Sequence, residues 1–351
     1  MKRIHLTSAL LTLAILLLAA CGKAPLHHQE SFVFGTRVEI LIAGMDEARA
    51  RPAAATVLSE FDRLHRTYHA WQPSELSDLN SALAQGKSNV VSEEMAVLLV
   101  DAQRRSAQGD GLFDPGIGHL IQAWGFQSSD FKAVLPEPDI VNKWLRNRAG
   151  IADLQIEGQH ISSRSRNVAV DLGGYLKGYA LDRAATLLRE HGVTNALINI
   201  GGNVMALGSK NGDAWTVGIQ HPRQPGPLAI LKLLDGEAIG TSGDYQRFFE
   251  LDGKRYCHLL DPRSGKPVTH TQALTVLVSP RPSAGTLSDM ASKPLFITGE
   301  SWPEMARKLD IDQVLRIDAQ GNIEVSARMS KRLQFTSKPA NLREIVLPAA
   351  K

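Results

Sequence analysis

The residues with the most distinctive chemistry lie at the two ends of a predicted β-hairpin, residues 248–260. Asp252-Gly253 separates two apolar-rich arms, which is a strong short-range hairpin signal. The segment Thr-Ser-Gly-Asp-Tyr, residues 241–245, leads into the first arm, and His258 and Asp261 follow where the second arm ends. Such a histidine could act as a general base or contact a phosphate. It could also be structural, which is the commoner role for a lone histidine beside a cysteine.

A second candidate site is the glycine turn between Asp171 and Lys177. Residues 167–192 predict a buried strand, a turn at Gly173-Gly174, and then a helix with Lys177 in its first turns. Backbone amides at a helix N-terminus, together with a lysine, make a phosphate site. The glycines do not match a dinucleotide-binding or a P-loop pattern, so neither fold is favoured. The alternative is a glycine-rich packing turn.

A third candidate is the segment Ser-Asp-Met-Ala-Ser-Lys, residues 288–293. Asp289, Ser292 and Lys293 are spaced at i, i+3 and i+4, so a helix would place them on one face. Carboxylate and hydroxyl oxygens on such a face could hold Mg²⁺, but a lysine ammonium is a poor member of that ligand set.

Two further glycine-rich segments carry weaker signals. The loop of residues 111–126 contains Asp114 among small residues that allow a close backbone approach to a ligand, or simply a turn before a helix. The turn of residues 199–203 is explained as well by tight packing. The sequence shows no catalytic-serine elbow and no Cys/His spacing typical of a zinc site.

The elements that must position these groups are mixed strands and helices. Residues 32–44 alternate as a strand, and residues 46–66 and 92–108 predict amphipathic helices, the second with a serine N-cap. No repeat or low-complexity linker divides the chain, so we predict one α+β unit. Further predicted elements are a strand, turn and strand over residues 193–208, strands at AWTVGIQHP, LAILKLL and ALTVLVSP, a helix over residues 283–299, and a helix with two strands toward Arg343.

The composition is that of an ordinary globular protein. The chain has 351 residues, 43% hydrophobic and 21% charged, with a net charge of +3. This balance provides enough apolar residues for a large core and does not favour a nucleic-acid-binding protein. Of the two cysteines, only Cys257 lies beyond the N-terminal segment, so we expect no intrachain disulfide in the mature chain.

The first 21 residues predict export and lipid modification. Lys2 and Arg3 precede an apolar run, residues 6–18, that is too short for a membrane span. The run ends in Leu-Ala-Ala-Cys, which resembles a bacterial lipobox and implies cleavage before Cys21 and its diacylation. Two acyl chains would anchor the protein stably to a membrane. An ordinary signal peptide or a short anchor is the alternative.

Taken in order, the segments resemble the ApbE family, the FAD:protein FMN transferases. The resemblance extends from Phe32 to about Leu333. The matching segments are FGT at residues 34–36, TYHAWQPSELSDLN, FDPGIGHLIQAWGF, DLGGYLKGYALD, ALINIGGNVMALG, TSGDYQRFFELDGKRYCHLLDPRSGKPV and SDMASKPLFITG.

The resemblance implies a fold and a reaction. The fold is a single α+β unit of two lobes, with mixed, largely antiparallel sheets, flanking helices and FAD bound between the lobes. The reaction moves FMN from FAD to a threonine of an acceptor protein and releases AMP, with Mg²⁺ bridging the diphosphate. The implied acceptor is a flavoprotein subunit of a membrane electron-transfer complex. Together with the N-terminal pattern, the resemblance divides the chain into three parts. These are a signal peptide (residues 1–20), a lipidated cysteine and tether facing the periplasm (21–30) and the catalytic unit (31–345).

By position, the resemblance also implies roles for individual residues. His258 corresponds to the family's histidine, here after Cys257 in place of a serine, and would position or deprotonate the acceptor hydroxyl; Asp289 would organise the cation. The FAD-contact positions are Phe34, Tyr68, Leu112, Phe113, Asp114, Asp171, Lys177 and Leu260. The metal-binding positions are Gly174 through its carbonyl, Asp289, Ser292 and Lys293.

Lys293 departs from the family pattern, which typically has threonine at this position. A protonated lysine has three donors and no acceptor, so it cannot ligate Mg²⁺. The side chain could swing outward, or its ammonium could take the place of the metal. Two alternatives to an active transferase therefore stay open: an FAD-binding lipoprotein with weak or no transfer, and an FAD diphosphatase that releases FMN and AMP.

Overall fold

The computed structural model describes residues 25–128 and 131–347. The leader and Cys21 lie outside the described residues. The strands are β1 (Leu26–Val33), β2 (Thr36–Ala43), β3 (Asn89–Val90), β4 (Leu154–Glu157), β5 (His160–Ser163), β6 (Ala196–Ile200), β7 (Asn203–Leu207), β8 (Trp215–Gln220), β9 (Pro227–Leu233), β10 (Ala238–Gly243), β11 (Phe248–Leu251), β12 (Lys254–Cys257), β13 (Leu260–Asp261), β14 (Lys266–Pro267), β15 (Thr271–Val278), β16 (Val314–Asp318), β17 (Ile323–Ser326), β18 (Leu333–Phe335) and β19 (Leu342–Ile345).

The helices include all four that the patterning predicted between residues 46 and 299. The helices are α1 (Glu47–Thr67), α2 (Glu75–Ala84), α3 (Glu93–Gln108), α4 (Gly118–Ala123), α5 (Pro138–Arg146), α6 (Leu176–Glu190), α7 (Ala284–Thr298), α8 (Trp302–Lys308) and α9 (Ala327–Ser330). The N-cap of α3 is Ser92, whose hydroxyl accepts from the Met95 amide at 3.2 Å, as predicted.

The architecture is a large mixed sheet covered on both faces, which confirms the predicted α+β class. Its strand order is β1-β2-β6-β7-β10-β15-β16-β17-β19, and the neighbours are antiparallel except β17 and β19. Helices α1, α6 and α7 bury one face in the largest hydrophobic core, and the small sheet β18-β9-β8 covers the other face. Strand β15 is buried along its whole length because both faces of the sheet are covered there.

The predicted hairpin is confirmed as strands β11 and β12, but its second arm ends at Cys257 rather than at Leu260. Asp252 and Gly253 form its turn with φ of 50° and 70°, the left-handed conformations that a two-residue hairpin turn requires. The hairpin is fixed by a third, smaller core, in which Phe249 stacks at 5.9 Å from Phe126 and Leu260 lies alongside. The ends of the hairpin are therefore held rigidly.

The prediction of a single strand over residues 32–44 is wrong. The predicted tether of residues 22–30 is also wrong for the residues that the structure describes, from residue 25 onward. From Leu26 onward the chain forms β1, which pairs with β2 along its whole length. The two strands are joined by Phe34-Gly35, with φ of 57° and 70°. Both turn residues need positive φ, and phenylalanine gives no signal for that conformation. For this reason the sequence pattern predicted one continuous strand.

Two other expectations need correction. The segment before Asp171 is not a regular strand; Ala169 makes only an isolated parallel bridge with Ile117. The C-terminal part contains α8, β16 and β17, but also α9, β18 and β19, which exceed the predicted helix and two strands. Short strands of two to four residues carry too little periodicity to be detected.

Candidate functional site

The candidate site forms where helices α6 and α7 pack unusually close together. A Cβ built on Gly178 would lie 2.4 Å from the Gly285 carbonyl oxygen, and one on Gly285 would lie 2.6 Å from the Gly178 oxygen. Only glycine at both positions permits this approach. The Asp182 carboxylate then caps α7 by accepting from the amides of Gly285 and Thr286, each at 2.8 Å. Helix α6, which follows the Gly173-Gly174 turn, is therefore held in close contact with α7.

Asp289 lies at the centre of this contact and is fully buried. Its Oδ2 accepts from the Gly178 amide at 2.9 Å, and its Oδ1 accepts from the ammonium of Lys293. The Lys293 ammonium also donates to the backbone oxygen of Asp289 at 2.6 Å. The predicted helix face is confirmed, and its lysine points inward onto the carboxylate rather than outward.

Ser292 is held on the same face by two hydroxyl hydrogen bonds. Its hydroxyl donates to the backbone oxygen of Asp289 at 2.7 Å and lies 2.7 Å from the Ser242 hydroxyl. A hydroxyl has one proton, so Ser242 must be the donor in the second bond. Ser242 belongs to the segment that leads into the hairpin, which ties the first and third candidates together.

The four predicted metal positions come together but do not fit a magnesium ion. Gly174 lies against Lys293, because a Cβ built on it would be 3.4 Å from the lysine Cε. Both oxygens of Asp289 accept from N–H donors, and the Ser292 hydroxyl is engaged at both sides. Mg²⁺ demands near-octahedral oxygen ligands, whereas Lys293 offers none while protonated. The donor set instead suits an ammonium.

The one cluster with metal-like spacing among the described residues lies elsewhere. His28, Glu30 and Glu39 are on the β1–β2 hairpin, and Arg37 already pairs with both glutamates at 2.6 and 2.9 Å. This cluster is an exposed ion-pair network of strand side chains, and we assign it no ligand.

Arg247 is a site residue that the sequence reasoning missed. Its Nη2 donates to the Phe126 carbonyl at 2.6 Å, and its guanidinium lies 5.4 Å from the Phe131 ring centroid. Burial lowers the pKa of Arg247, while the charge of Asp171 opposes that shift, so the two groups lie close enough to interact electrostatically. The signal was present in the hairpin entry, where Arg247 follows Thr-Ser-Gly-Asp-Tyr by two residues.

Asp171 and Lys177 of the glycine turn face the same space. Burial raises the pKa of Asp171, whereas the Gly173 amide at 2.7 Å and the charge of Arg247 lower it. Burial lowers the pKa of Lys177; Asp289 opposes this, and Lys293 and Arg247 add to it. The site thus combines three basic side chains with two carboxylates, an arrangement that favours an anionic ligand.

His258 is oriented by the backbone of Arg247. Its Nδ1 lies 3.1 Å from the Arg247 carbonyl oxygen, which also accepts from the His258 amide at 3.0 Å. A carbonyl only accepts, so Nδ1 carries the proton and Nε2 keeps its lone pair. Burial lowers the pKa of His258 to about 3, with Arg247, Lys177 and Lys293 contributing. The imidazole is therefore neutral, and its free lone pair is at Nε2.

The predicted FAD-contact positions divide into two groups. Asp171 and Lys177 belong to the cluster just described. Asp114 is held differently, because its Oδ1 accepts from the amides of Gly116 and Ile151, each at 2.8 Å, and joins two loops. Burial raises the pKa of Asp114, with those amides opposing. These bonds fix the two loops, and contact of Asp114 with FAD stays a prediction.

The remaining contact positions are apolar or aromatic. Phe34 is half-buried in the β1–β2 turn, with its ring 5.9 Å from that of Phe61. Phe113 stacks at 6.4 Å from Tyr175 beside Gly174. The other three are packed in hydrophobic cores and are at most 5% exposed: Tyr68, Leu112 and Leu260.

A groove opens at the end of the sheet where these turns meet. Here β2 and β7 begin and β6 and β10 end, so the Phe34-Gly35 and Gly201-Gly202 turns and the hairpin entry are neighbours. A cavity of 390 Å³ is lined by Gly201-Gly202, Tyr245, Gln246 and strand β8. The cavity therefore lies beside Tyr245 and Gln246, the two residues that precede Arg247 in the sequence.

Cys257 is not a reactive group in this site. It is 1% exposed, and burial raises the pKa of its thiol to about 12. Its sulfur lies 3.4 Å from the Val268 carbonyl, which accepts from the thiol. The thiol therefore acts as a small core side chain.

Comparisons with known proteins show which family the chain resembles. The sequence model of the ApbE family matches residues 34–315. The chain is 36% identical over 330 residues to an FAD:protein FMN transferase of Rhodobacter capsulatus, covering 93% of this chain and 62% of that protein's length. It is 30% identical over 291 residues to an FAD:protein FMN transferase of Klebsiella pneumoniae, covering 81% of each chain.

Solved structures give the same result for the fold. An ApbE protein of Thermotoga maritima superimposes with a TM-score of 0.80 at 27% identity, covering 88% of this chain and 99% of that one. The flavin transferase ApbE of Vibrio cholerae superimposes with a TM-score of 0.76 at 26% identity, covering 88% and 99%.

Proposed function

The chain belongs to the ApbE family, and we propose that it is an FAD:protein FMN transferase. The observation that carries the proposal is the convergence of Lys177, Arg247 and Lys293 on a neutral His258 beside two buried carboxylates. This arrangement provides what phosphoryl transfer needs, namely charge neutralisation and a positioned base.

In the proposed complex the three basic side chains face the diphosphate of FAD. Lys177 and the Gly173-Gly174 turn lie at the N-terminus of α6, where backbone amides and the helix dipole favour an anion. Arg247 approaches from the hairpin entry and Lys293 from α7. Because the side chains come from separate, rigidly packed elements, little reorganisation is required during the reaction.

The proposed reaction is attack by an acceptor threonine on the FMN phosphorus of FAD. The hydroxyl oxygen forms a new P–O bond, and the bond between this phosphorus and the bridging oxygen of the AMP phosphate breaks. AMP leaves with the bonding electron pair, and the hydroxyl proton passes to Nε2 of His258. His258 can take this role because the Arg247 carbonyl fixes its Nδ1 proton. The bound diphosphate would also offset the three cations that lower the pKa of His258, and so would strengthen it as a base.

Two parts of the proposal rest on family resemblance alone. The acceptor would be a flavoprotein subunit of a membrane electron-transfer complex. The second is Mg²⁺, which the resemblance implies; the Asp289, Ser292 and Lys293 side chains do not fit that ion, so the proposed reaction contains no step that depends on it.

We propose that the protein is anchored to a bacterial membrane and faces the periplasm. The anchor would be a diacylated Cys21, which lies outside the described residues. Within residues 25–128 and 131–347, no helix is both long and apolar enough to cross a membrane. We expect mass spectrometry of the membrane fraction to find a lipid-modified N-terminal Cys21, and Cys21→Ser to release the protein from that fraction. A soluble wild-type chain with an unmodified N-terminus beyond Cys21 would contradict the proposal.

Arg247→Met is expected to weaken FAD binding by about 10- to 100-fold, because hydrogen bonds to charged groups contribute about 1.5–3 kcal/mol. Riboflavin, which lacks phosphate, should bind the variant and the wild type alike. Fluorescence titration measures both affinities. Arg255→Met is the matched control, because Arg255 lies over the Phe248 ring at 4.1 Å and pairs with Glu250. Equal losses of FAD and riboflavin affinity in Arg247→Met would contradict a phosphate contact.

The transferase assignment is tested by incubating the protein with FAD and a threonine-bearing acceptor, then viewing the denaturing gel under ultraviolet light. We expect a fluorescent acceptor band that is absent when the acceptor threonine is replaced by valine. Tightly bound FAD with a dark acceptor band would instead favour the FAD-binding lipoprotein without transfer.

A further inference from the structure

We propose that the Lys293 ammonium replaces a divalent cation in this protein, so that FAD binds through the site without Mg²⁺. The inference deepens the proposed function and rests on it for the identity of the ligand. It begins from the disagreement between the donor atoms at this site and the needs of a metal ion.

The ammonium of Lys293 binds the Asp289 carboxylate, which a metal ion at this site would need as a ligand. It donates to Oδ1 of Asp289 and, at 2.6 Å, to the backbone oxygen of the same residue. Asp289 is fully buried, whereas the Lys293 side chain keeps 14% of its surface exposed. The lysine thus closes the carboxylate off on one side and remains accessible on the other.

An ammonium has three N–H donors, and Asp289 uses two of them. Within the part of the chain that the structure describes, no other acceptor binds this ammonium, so its third N–H can donate to a ligand oxygen. Lys177 and Arg247 lie close enough to act electrostatically on the same histidine as Lys293 does. These three basic side chains, with one N–H of Lys293 free to donate, can neutralise a diphosphate without any added ion.

The same geometry opposes metal binding. The Asp289 oxygens accept from Lys293 and from the Gly178 amide, and the Ser292 hydroxyl is bound to the Asp289 backbone and to Ser242. A metal would have to displace an ammonium that is joined to the carboxylate by a buried ion pair. The positive charge of that ammonium would also repel an incoming divalent cation.

The test measures FAD affinity of the purified soluble domain, from residue 22 onward, by flavin fluorescence in EDTA and in millimolar Mg²⁺. Wild type is expected to bind FAD equally, within about twofold, under both conditions. Lys293→Met removes the charge without adding a ligand, so its FAD affinity should fall at least tenfold in EDTA. Lys308→Met, which removes an exposed lysine paired with Asp110, should bind as wild type does.

A direct metal readout uses Mn²⁺ and electron paramagnetic resonance in the presence of FAD. Lys293→Thr frees the Asp289 carboxylate and adds a hydroxyl, so it should bind Mn²⁺ at least tenfold more tightly than wild type. Wild type binding Mn²⁺ as tightly as this variant, or losing FAD affinity at least tenfold in EDTA, would overturn the inference. Lys293→Met binding FAD as wild type does in EDTA would also overturn it. A wild type that binds no FAD under either condition would instead contradict the proposed function itself.

Discussion

His258→Gln is expected to lower the rate of flavin transfer by about 10²- to 10⁴-fold, the range that a positioned general base contributes. The Nε2 lone pair of His258 is the proposed proton acceptor, and the glutamine amide at that position is not basic. FAD affinity should change little, because the neutral histidine adds no charge to the diphosphate site. Single-turnover transfer to the acceptor and fluorescence titration of FAD measure the two quantities separately.

His191→Gln provides a matched control for this substitution. His191 also places Nδ1 near a backbone carbonyl, that of Leu187 at 2.9 Å, but it is exposed at the end of α6. Its rate should equal that of wild type. A His258→Gln variant that transfers as fast as wild type would contradict the role of His258. A matching loss of FAD affinity would show that His258 acts in binding instead.

The protonation of His258 follows from the same environment. The pKa of His258 in the FAD-free protein is lowered to about 3, so the neutral imidazole persists well below the ordinary value of 6.5. Acidification of the FAD-free protein from pH 7 to pH 5 should therefore not protonate His258, and an NMR titration of its imidazole measures this. A titration midpoint near 6.5 would indicate an ordinary, solvated histidine.

Gly178→Ala is expected to destabilise the fold by about 3 kcal/mol or more, the upper part of the range for overpacking a core. The added Cβ would lie 2.4 Å from the Gly285 oxygen and 2.7 Å from the Thr286 Cα, both in the backbone of α7. The helices must separate, which also stretches the bond from the Gly178 amide to Asp289. The better helix propensity of alanine, about 1 kcal/mol, offsets only part of the cost.

Urea unfolding of the variant measures this effect. Gly109→Ala is the control, since a Cβ there would lie 3.5 Å from its nearest neighbour, Pro294, in ordinary contact. Its free energy of unfolding should stay within about 1 kcal/mol of wild type. Equal stabilities for Gly178→Ala and wild type would show that α6 and α7 do not approach as closely as described.

The sequence predicted the location of the site better than its internal contacts. The glycine turn after Asp171, the hairpin exit at His258 and the helix face at Asp289 were all identified, and the structure brings them together. Local patterns sufficed because each group is fixed by its own turn or helix. The order of these segments revealed the family resemblance, which in turn implied the arrangement of the fold in two lobes.

Contacts between residues far apart in the chain could not be predicted from the sequence. Spacing alone did not decide whether Lys293 points toward or away from Asp289, because that direction depends on Gly178 and the approach of α6. The two loop amides that bind Oδ1 of Asp114 also could not be identified from its local sequence. Arg247 was overlooked because its role depends on Asp171, which lies far away in sequence.

The most direct test of the transferase assignment is the ratio of AMP released to FMN attached to the acceptor in one turnover of bound FAD. The proposed reaction predicts one AMP for each FMN found on the acceptor threonine by intact-mass spectrometry. AMP released with all FMN free in solution would identify an FAD diphosphatase and contradict the proposal. No AMP from bound FAD would contradict it as well and leave a flavin-binding protein.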